Sequence, residues 1–328
     1  MNIRGRIGMI APTDDAIPTE EAFEALGHET RLAILHALWE EQELDVPGNF
    51  PGPPISFTAL RKRVEMRDPS QFNYHLKKLV GPFVHATEDG YALRWAGQQI
   101  VTAIRAGTLT EEVVLDEVAI TDPCPLCGEE VVLEHGTERV LDWHLSRCTS
   151  CEGGWRVPDF PPGILVLVRP LEPAGIRERT PDEMYRAQLA WVAHEFTLMT
   201  EGVCPSCSGP VNASPLICEE HAVEPGRVCE ACETIFKVRF HNVCQVCNRA
   251  FYSASDRHFV THPTVHAFYH DHGYDPFSHD WLRIQAETID NQSVVGTDPM
   301  EIRTEIRIDD ERLVVTLDES GDIVTVEG

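Results

Sequence analysis

At 328 residues, with 42% hydrophobic side chains and no apolar run long enough to cross a bilayer, the chain reads as a globular protein of two or three domains rather than a membrane protein. It carries 53 Asp and Glu against 27 Lys and Arg, a net charge of −26, and only Lys62, Lys77, Lys78 and Lys237 are lysines. An acidic, lysine-poor surface holds its hydration in concentrated salt, which points to a halophilic cytoplasm.

In chain order, residues 1–19 read as a flexible tail. Their basic start, MNIRGRIGMIAP, lacks the hydrophobic segment of a signal peptide, and Met9 is an alternative start. Helices follow at 19–26, opening on TEEAF, and at 29–38, with Leu32, Leu35, Ala37 and Leu38 apolar. The insert at 46–54, VPGNFPGPP, reads as a loop without an assigned role. The stretch 57–93 then gives two helices and a hairpin. Ser56 caps the first helix; Asp68, Pro69 and Gln71 at N-cap, N1 and N3 start the second. Phe72, Leu76, Leu79 and Val80 face inward, which leaves Ser70, Gln71, Asn73, Tyr74, Lys77 and Lys78 outward. Short polar groups at a helix N-terminus with cations behind them suit major-groove readout, so these six, with Arg61 and Arg67, are the candidate DNA contacts. The turn Glu88-Asp89-Gly90 closes a hairpin that serves as a wing. Residues 56–94 hold seven Lys/Arg against four Asp/Glu, while 107–328 hold 16 against 39. The locally basic surface therefore coincides with the helix-turn-helix.

The run ALGHETRLAILHAL, followed by YHLKKLVGPFV and DGYALRWAG, resembles the ArsR-type winged-helix regulators, especially haloarchaeal members, over the first third of the chain. The resemblance implies a homodimer, with 95–106 (Ile100, Val101, Ile104) as the dimer helix. It does not imply arsenic sensing, since 55–66 contains no cysteine.

Eleven cysteines without an export signal argue for metal rather than disulfides. Ten form C-x2-C pairs: Cys124/Cys127, Cys148/Cys151, Cys204/Cys207, Cys229/Cys232 and Cys244/Cys247. Cys218 with His221 makes a sixth pair. Twelve ligands fill three tetrahedral zinc sites. The first four cysteines form a zinc ribbon around a hairpin of 131–133 and 140–145. The remaining pairs allow three connectivities. Strands at 211–217 and 235–240 favour the nested one, Cys204/Cys207 with Cys244/Cys247 and Cys218/His221 with Cys229/Cys232, over a cross-brace or sequential pairing. Closed sites of this composition fold segments that are poor in core, and structural zinc is favoured over sensing or catalysis.

Between and beyond these pairs, 108–120 is read as a joint that extends the dimer helix, and 155–157 and 164–168 as strands. Residues 180–199 are read as a helix with Met184, Leu189, Trp191, Val192, Phe196 and Met199 as core and His194 as a solvated side chain. In 258–279, His262, His266 and His270 recur every fourth residue, with His272 and His279 close by. This is read as a surface helix, with a labile metal site or a pH sensor as the competing reading. From Trp281 the chain is read as β, in the runs WLRIQAETID, MEIRTEIRI, RLVVTLDES and DIVTVEG, covered by the strands at 155–168 or the helix at 180–199.

The expectation is an α+β protein: a winged helix-turn-helix at 20–107, a zinc ribbon with strands and a helix at 108–200, a two-zinc module at 201–272 and an antiparallel sheet at 273–328. Its expected work is sequence-specific regulation of transcription as a cytoplasmic homodimer on double-stranded DNA, with three Zn2+ ions and no catalytic residue. Competing readings are an adaptor contacting the transcription machinery and a metal- or redox-sensing regulator.

Overall fold

The computed structural model describes residues 17–44, 54–136, 143–168 and 171–328, and the chain divides into two units, Met1–Glu111 and Glu112–Gly328. The tail up to residue 16, most of the 46–54 insert and positions 140–142 of the expected ribbon hairpin lie outside the described residues.

The first unit runs α1 (Thr19–Leu26), α2 (Glu29–Leu44), α3 (Phe57–Arg63), α4 (Pro69–Leu79), β1 (Val84–Ala86), β2 (Tyr91–Leu93) and α5 (Trp95–Ala106). Caps set its boundaries. Ser56 accepts from the Ala59 N–H at 3.3 Å, and the Asp68 carboxylate accepts from Ser70 (2.7 Å) and Gln71 (3.3 Å) at the head of α4. Phe72, Leu76 and Leu79 are buried with Ile34, Leu35, Leu38, Leu60, Val84 and Leu93. Truncating Phe72 in such a core costs about 3–5 kcal/mol. Ile55 exchanges both backbone hydrogen bonds with Tyr91 at 2.9 Å and so adds a bridge to the β1–β2 hairpin. The Ile55 carbonyl occupies the place where a β-carbon on Gly90 would sit, and this turn residue has a φ of +145°.

The second unit is a series of small antiparallel sheets with helices between them. β3 (Leu115–Ala119), β4 (Val131–Gly136), β5 (Trp143–Cys148) and β6 (Ile164–Val168) form one sheet in chain order. The short α6 (Pro173–Ile176) and the long α7 (Pro181–Thr200) follow, the latter started by a reciprocal capping box of Thr180 and Glu183. β7 (Val211–Ile217), β8 (Val238–Cys244) and β9 (Ala250–Ala254) make a three-stranded sheet. After a 3-10 turn at Ser255–His258 come α8 (Pro263–Asp271) and α9 (Trp281–Thr288). The meander β10 (Ile289–Thr297), β11 (Met300–Ile308), β12 (Glu311–Asp318) and β13 (Ile323–Glu327) ends the chain.

Two apolar cores tie these parts together. In one, Met184, Tyr185, Leu189, Val192 and Phe196 of α7 pack with Val131, Leu133 and Leu165 of the first sheet and with Phe236, Ala254 and Trp281. In the other, Val238 and Phe240 of β8 pack with Phe259, Val265, Tyr269 and Ile284 and with Ile302, Ile306, Val315 and Leu317 of the meander. Segments 108–200, 201–272 and 273–328 therefore share cores. A buried ion pair stitches the seam: Arg257 Nε donates to Asp256 at 2.9 Å, Gln285 of α9 donates to the same carboxylate at 2.8 Å, and the guanidinium lies 5.1 Å from the Trp281 ring.

Five expectations are corrected. Residues 108–120 do not prolong a helix; α5 stops at the left-handed Gly107, and β3 follows. Trp155 makes only isolated bridges to Thr234 and Ile164, so 155–157 is no strand. WLRIQAET is the helix α9, because its buried residues Trp281, Leu282, Ile284, Gln285 and Thr288 follow helical spacing. The meander is covered by β7–β8, α8 and α9 rather than by 155–168 or α7, and Trp191, expected in the core, is 46% exposed. Among the described residues, no helix is long and apolar enough to cross a membrane.

Candidate metal centres and nucleic-acid interface

The twelve expected ligands gather into three groups, each with its donor atoms within 4.8 Å of one another: Cys124/Cys127/Cys148/Cys151, Cys204/Cys207/Cys244/Cys247 and Cys218/His221/Cys229/Cys232. The last two groups follow the nested order. The β7–β8 register explains why, since Val211 pairs with Cys244 and Ile217 with Val238, bringing the outer pairs together at one end and the inner pairs at the other.

Four of the five C-x2-C knuckles share one local design. The N–H of Cys124 donates to Glu129, that of Cys204 to Gly209, that of Cys229 to Thr234 and that of Cys244 to Arg249, which folds each of the four back on itself, whereas the N–H of Cys148 donates to Gly163. The residue after the second cysteine is left-handed in all four: Gly128 (φ +81°), Ser208 (+57°), Glu233 (+60°) and Asn248 (+57°). Sequence reasoning missed this feature; its signal is position, the first residue past the knuckle, more than residue type. Backbone N–H groups of Ser150 and Cys151 point at the Cys148 sulfur (3.3 and 3.4 Å), and those of Val246 and Cys247 at Cys244 (3.4 and 3.5 Å). Such donors stabilise thiolate, and the Cys244 thiol is pulled down to about 6, chiefly by the Cys247 N–H. The Ala222 N–H does most to lower Cys229, to about 7.

Sulfur–sulfur distances are 3.7 Å for Cys124–Cys151, 3.4 Å for Cys127–Cys148, 3.6 Å for Cys204–Cys247 and 3.5 Å for Cys207–Cys244. A tetrahedral ion with bonds of about 2.3 Å requires sulfurs about 3.7 Å apart. The sets therefore fit a metal ion such as zinc. In the third group Nδ1 of His221 faces the Cys232 sulfur at 3.5 Å, and the ring also hydrogen-bonds the Ile235 backbone, which fixes its orientation. Burial lowers the His221 pKa, favouring the neutral, ligating imidazole. Each group supplies four protein donors, so each is a closed site whose ion would hold two chain segments together.

Glu152, one residue past Cys151, ties the first group to the third. Its carboxylate accepts from the Val228 N–H at 2.9 Å and pairs with Arg156 (3.2 Å) and Arg227 (3.7 Å), while its own N–H donates to Gly226. The histidines of 258–279 form no such cluster. Among the described residues no group of three metal-ligating side chains lies there; His266 and His270 are exposed, His272 bonds the Phe268 carbonyl, and His279 pairs with Asp280. The buried histidines that sequence reasoning missed are His135 and His144, whose Nδ1 atoms lie 3.5 Å apart across β4–β5, and His258.

In the first unit the α4 surface is divided. Ser70, Gln71, Tyr74, Lys77 and Lys78 are exposed and Asn73 is half-buried, with the apolar face turned inward. Lys78 lies 3.8 Å from Glu24. Arg67 is exposed at the turn before the helix. Arg61 is otherwise engaged: its guanidinium donates to the carbonyls of Met66 (3.0 Å) and Arg67 (2.8 Å), bracing the α3–α4 turn.

Two family models match the chain. The one described as Domain of unknown function (DUF7351) covers residues 121–323, and the one described as Domain of unknown function (DUF7347) covers 19–104. No curated protein and no solved structure matches it.

Proposed function

Because the chain belongs to the DUF7351 family, whose description assigns no activity, we propose from its own residues that it is a sequence-specific DNA-binding regulator of transcription. In this reading the first unit is an ArsR-like winged helix, and the three Cys/His groups hold structural zinc. The observation that carries the reading is the exposed face of α4. At its capped N-terminus Ser70, Gln71 and half-buried Asn73 offer short donors and acceptors for base edges, and Lys77 stands one turn further on for phosphate. Arg67 adds charge beside it, whereas Arg61 acts through the turn it braces. Zinc would neutralise the thiolates and close each pair of knuckles, giving the second unit rigidity that its small sheets lack alone.

A homodimer fits this reading, since Trp95 at the head of α5 is 70% exposed and an apolar side chain so placed suits burial against a second copy. The same exposure favours one competitor, an adaptor whose first unit contacts the transcription machinery.

The test is genome-wide mapping of bound DNA in the native host at native salt, with purified variants on the mapped sites. Sharp peaks with a shared, palindromic motif, relaxed by Gln71→Ala or Asn73→Ala and uniformly weakened by Lys77→Ala, support the proposal. Diffuse signal over all active promoters, or variants without effect, would replace it with the adaptor reading.

A further inference from the structure

The outer face of the β7–β8–β9 sheet has a composition unlike the rest of the chain. None of the chain's 53 acidic residues lies in these strands, which read VNASPLI, VRFHNVC and AFYSA. The inner face is set by Phe240, Asn242 and Cys244, all buried, so the alternate residues of β8, Arg239, His241 and Val243, point outward. The register aligns Ser214, His241 and Tyr252 in one row across the three strands and Leu216, Arg239 and Ala254 in the next. Tyr252 is 53% exposed and stacks on His241, the rings 4.6 Å apart and inclined by 14°. Two near-parallel rings therefore stand up from a row whose ends, Ser214 and Tyr252, are exposed, while Ala254 in the Arg239 row is buried.

The charges beside them lack carboxylate partners. Among the described residues Arg239 makes no ion pair, and its Nε has no hydrogen-bond partner. Lys237, at the head of β8, donates to the Gln292 carbonyl at 2.8 Å rather than to an acid. In a chain with twice as many acids as bases, Arg239 keeps a guanidinium with no carboxylate partner, close enough to His221 of the third metal group to act on its charge. Asn212 and Ser214 are exposed along β7 and carry uncharged donors and acceptors.

We propose that this face binds single-stranded RNA. A base continues the stack begun by Tyr252 and His241, Arg239 holds the adjoining phosphate, and Asn212 and Ser214 bond 2′-hydroxyls. Duplex DNA does not suit the site, because its bases are already stacked on one another, whereas unpaired bases are free to stack on exposed aromatic rings. Stacking also survives concentrated salt, which removes most of the counterion-release term. This surface lies in the second unit and is independent of α4.

The experiment is fluorescence anisotropy of a short labelled oligouridylate with the full-length, metal-loaded protein in concentrated KCl, and the same titration with the thymidine deoxy-oligomer. The expected result is saturable binding, weakened about tenfold or more by Tyr252→Ala and by Arg239→Gln, retained by Tyr252→Phe and unaffected by Lys77→Ala. Unchanged melting temperature and metal content of the variants show that folding is intact. Absence of binding up to millimolar protein, or equal affinity of wild type and Tyr252→Ala, overturns the proposal. Loss of binding in Lys77→Ala but not Tyr252→Ala places the contact on α4 and also overturns it. Equal affinity for the deoxy-oligomer overturns the assignment to RNA. A change of oligomeric state in Tyr252→Ala without a change in RNA affinity makes the face a contact between copies and overturns it too.

Discussion

Gly321 carries no side chain because the imidazole of His258 occupies the place its β-carbon would take. His258 sits at the end of the 3-10 turn after β9, and Gly321 lies in the turn between β12 and β13, so this contact locks the meander onto the three-stranded sheet. On its other side the ring reaches Ser253, with Nε2 3.2 Å from the hydroxyl. Gly321 also has a φ of +81°. Gly321→Ala therefore meets both backbone strain and a clash with a buried ring. We expect a loss of about 2 kcal/mol or more in stability, read as a lower urea midpoint at unchanged metal content.

Acid should destabilise the second unit through its buried histidines. His144 and His258 are each held down to about 4 by burial; for His144 the neighbouring His135 adds to the effect, and for His258 a hydrogen bond to Gly321 and the Asp318 carboxylate partly oppose it. The unfolded chain then binds more protons than the folded one between about pH 6.5 and 4. Stability is full above 6.5 and falls with pH through that window, by roughly 2 kcal/mol per histidine on going from pH 7 to 5. Denaturation of wild type and His258→Gln at both pH values checks this: the variant should show the shallower acid loss, and parallel curves would contradict it.

Chelation under reducing conditions should unfold the second unit and spare the first, whose buried core contains no ligand. Far-ultraviolet circular dichroism before and after metal removal should retain the helical signal of α1–α5 while the near-ultraviolet signal of Trp155 and Trp281 is lost. Cys148→Ser should lower the metal content by one ion per chain. Complete unfolding of both units on chelation would refute this division.

Glu233 occupies a left-handed position that a side chain makes costly by roughly 1 kcal/mol. Because it follows the knuckle and ligates nothing, Glu233→Gly should raise the melting temperature by a few degrees with metal stoichiometry unchanged. Glu233→Ala should give no such gain.

The first unit was legible because its signals are local. Asp68-Pro69 announces α4 by capping and backbone preference alone, and the spacing of Phe72, Leu76 and Leu79 gives its inward face. The metal ligands were legible for the same reason, as pairs of cysteines two residues apart. Grouping the last four pairs needed the β7–β8 hairpin, whose second strand begins at Val238 rather than at 235. WLRIQAET misled because Leu282, Ile284 and Ala286 also alternate like a strand, and only the burial of Trp281, Gln285 and Thr288 decides for a helix. The contact of His258 with Gly321 had no local signal, since it joins turns far apart in the chain.

The bond from Glu152 to Val228 has a further consequence. It joins the loop after Cys151 to the loop that carries Cys229, so the ion that orders one loop has already met part of the entropic cost of ordering the other. Metal loading of the first and third groups should therefore be cooperative, the second of these two ions binding more tightly than the first, while the second group, at the far end of β8, fills on its own.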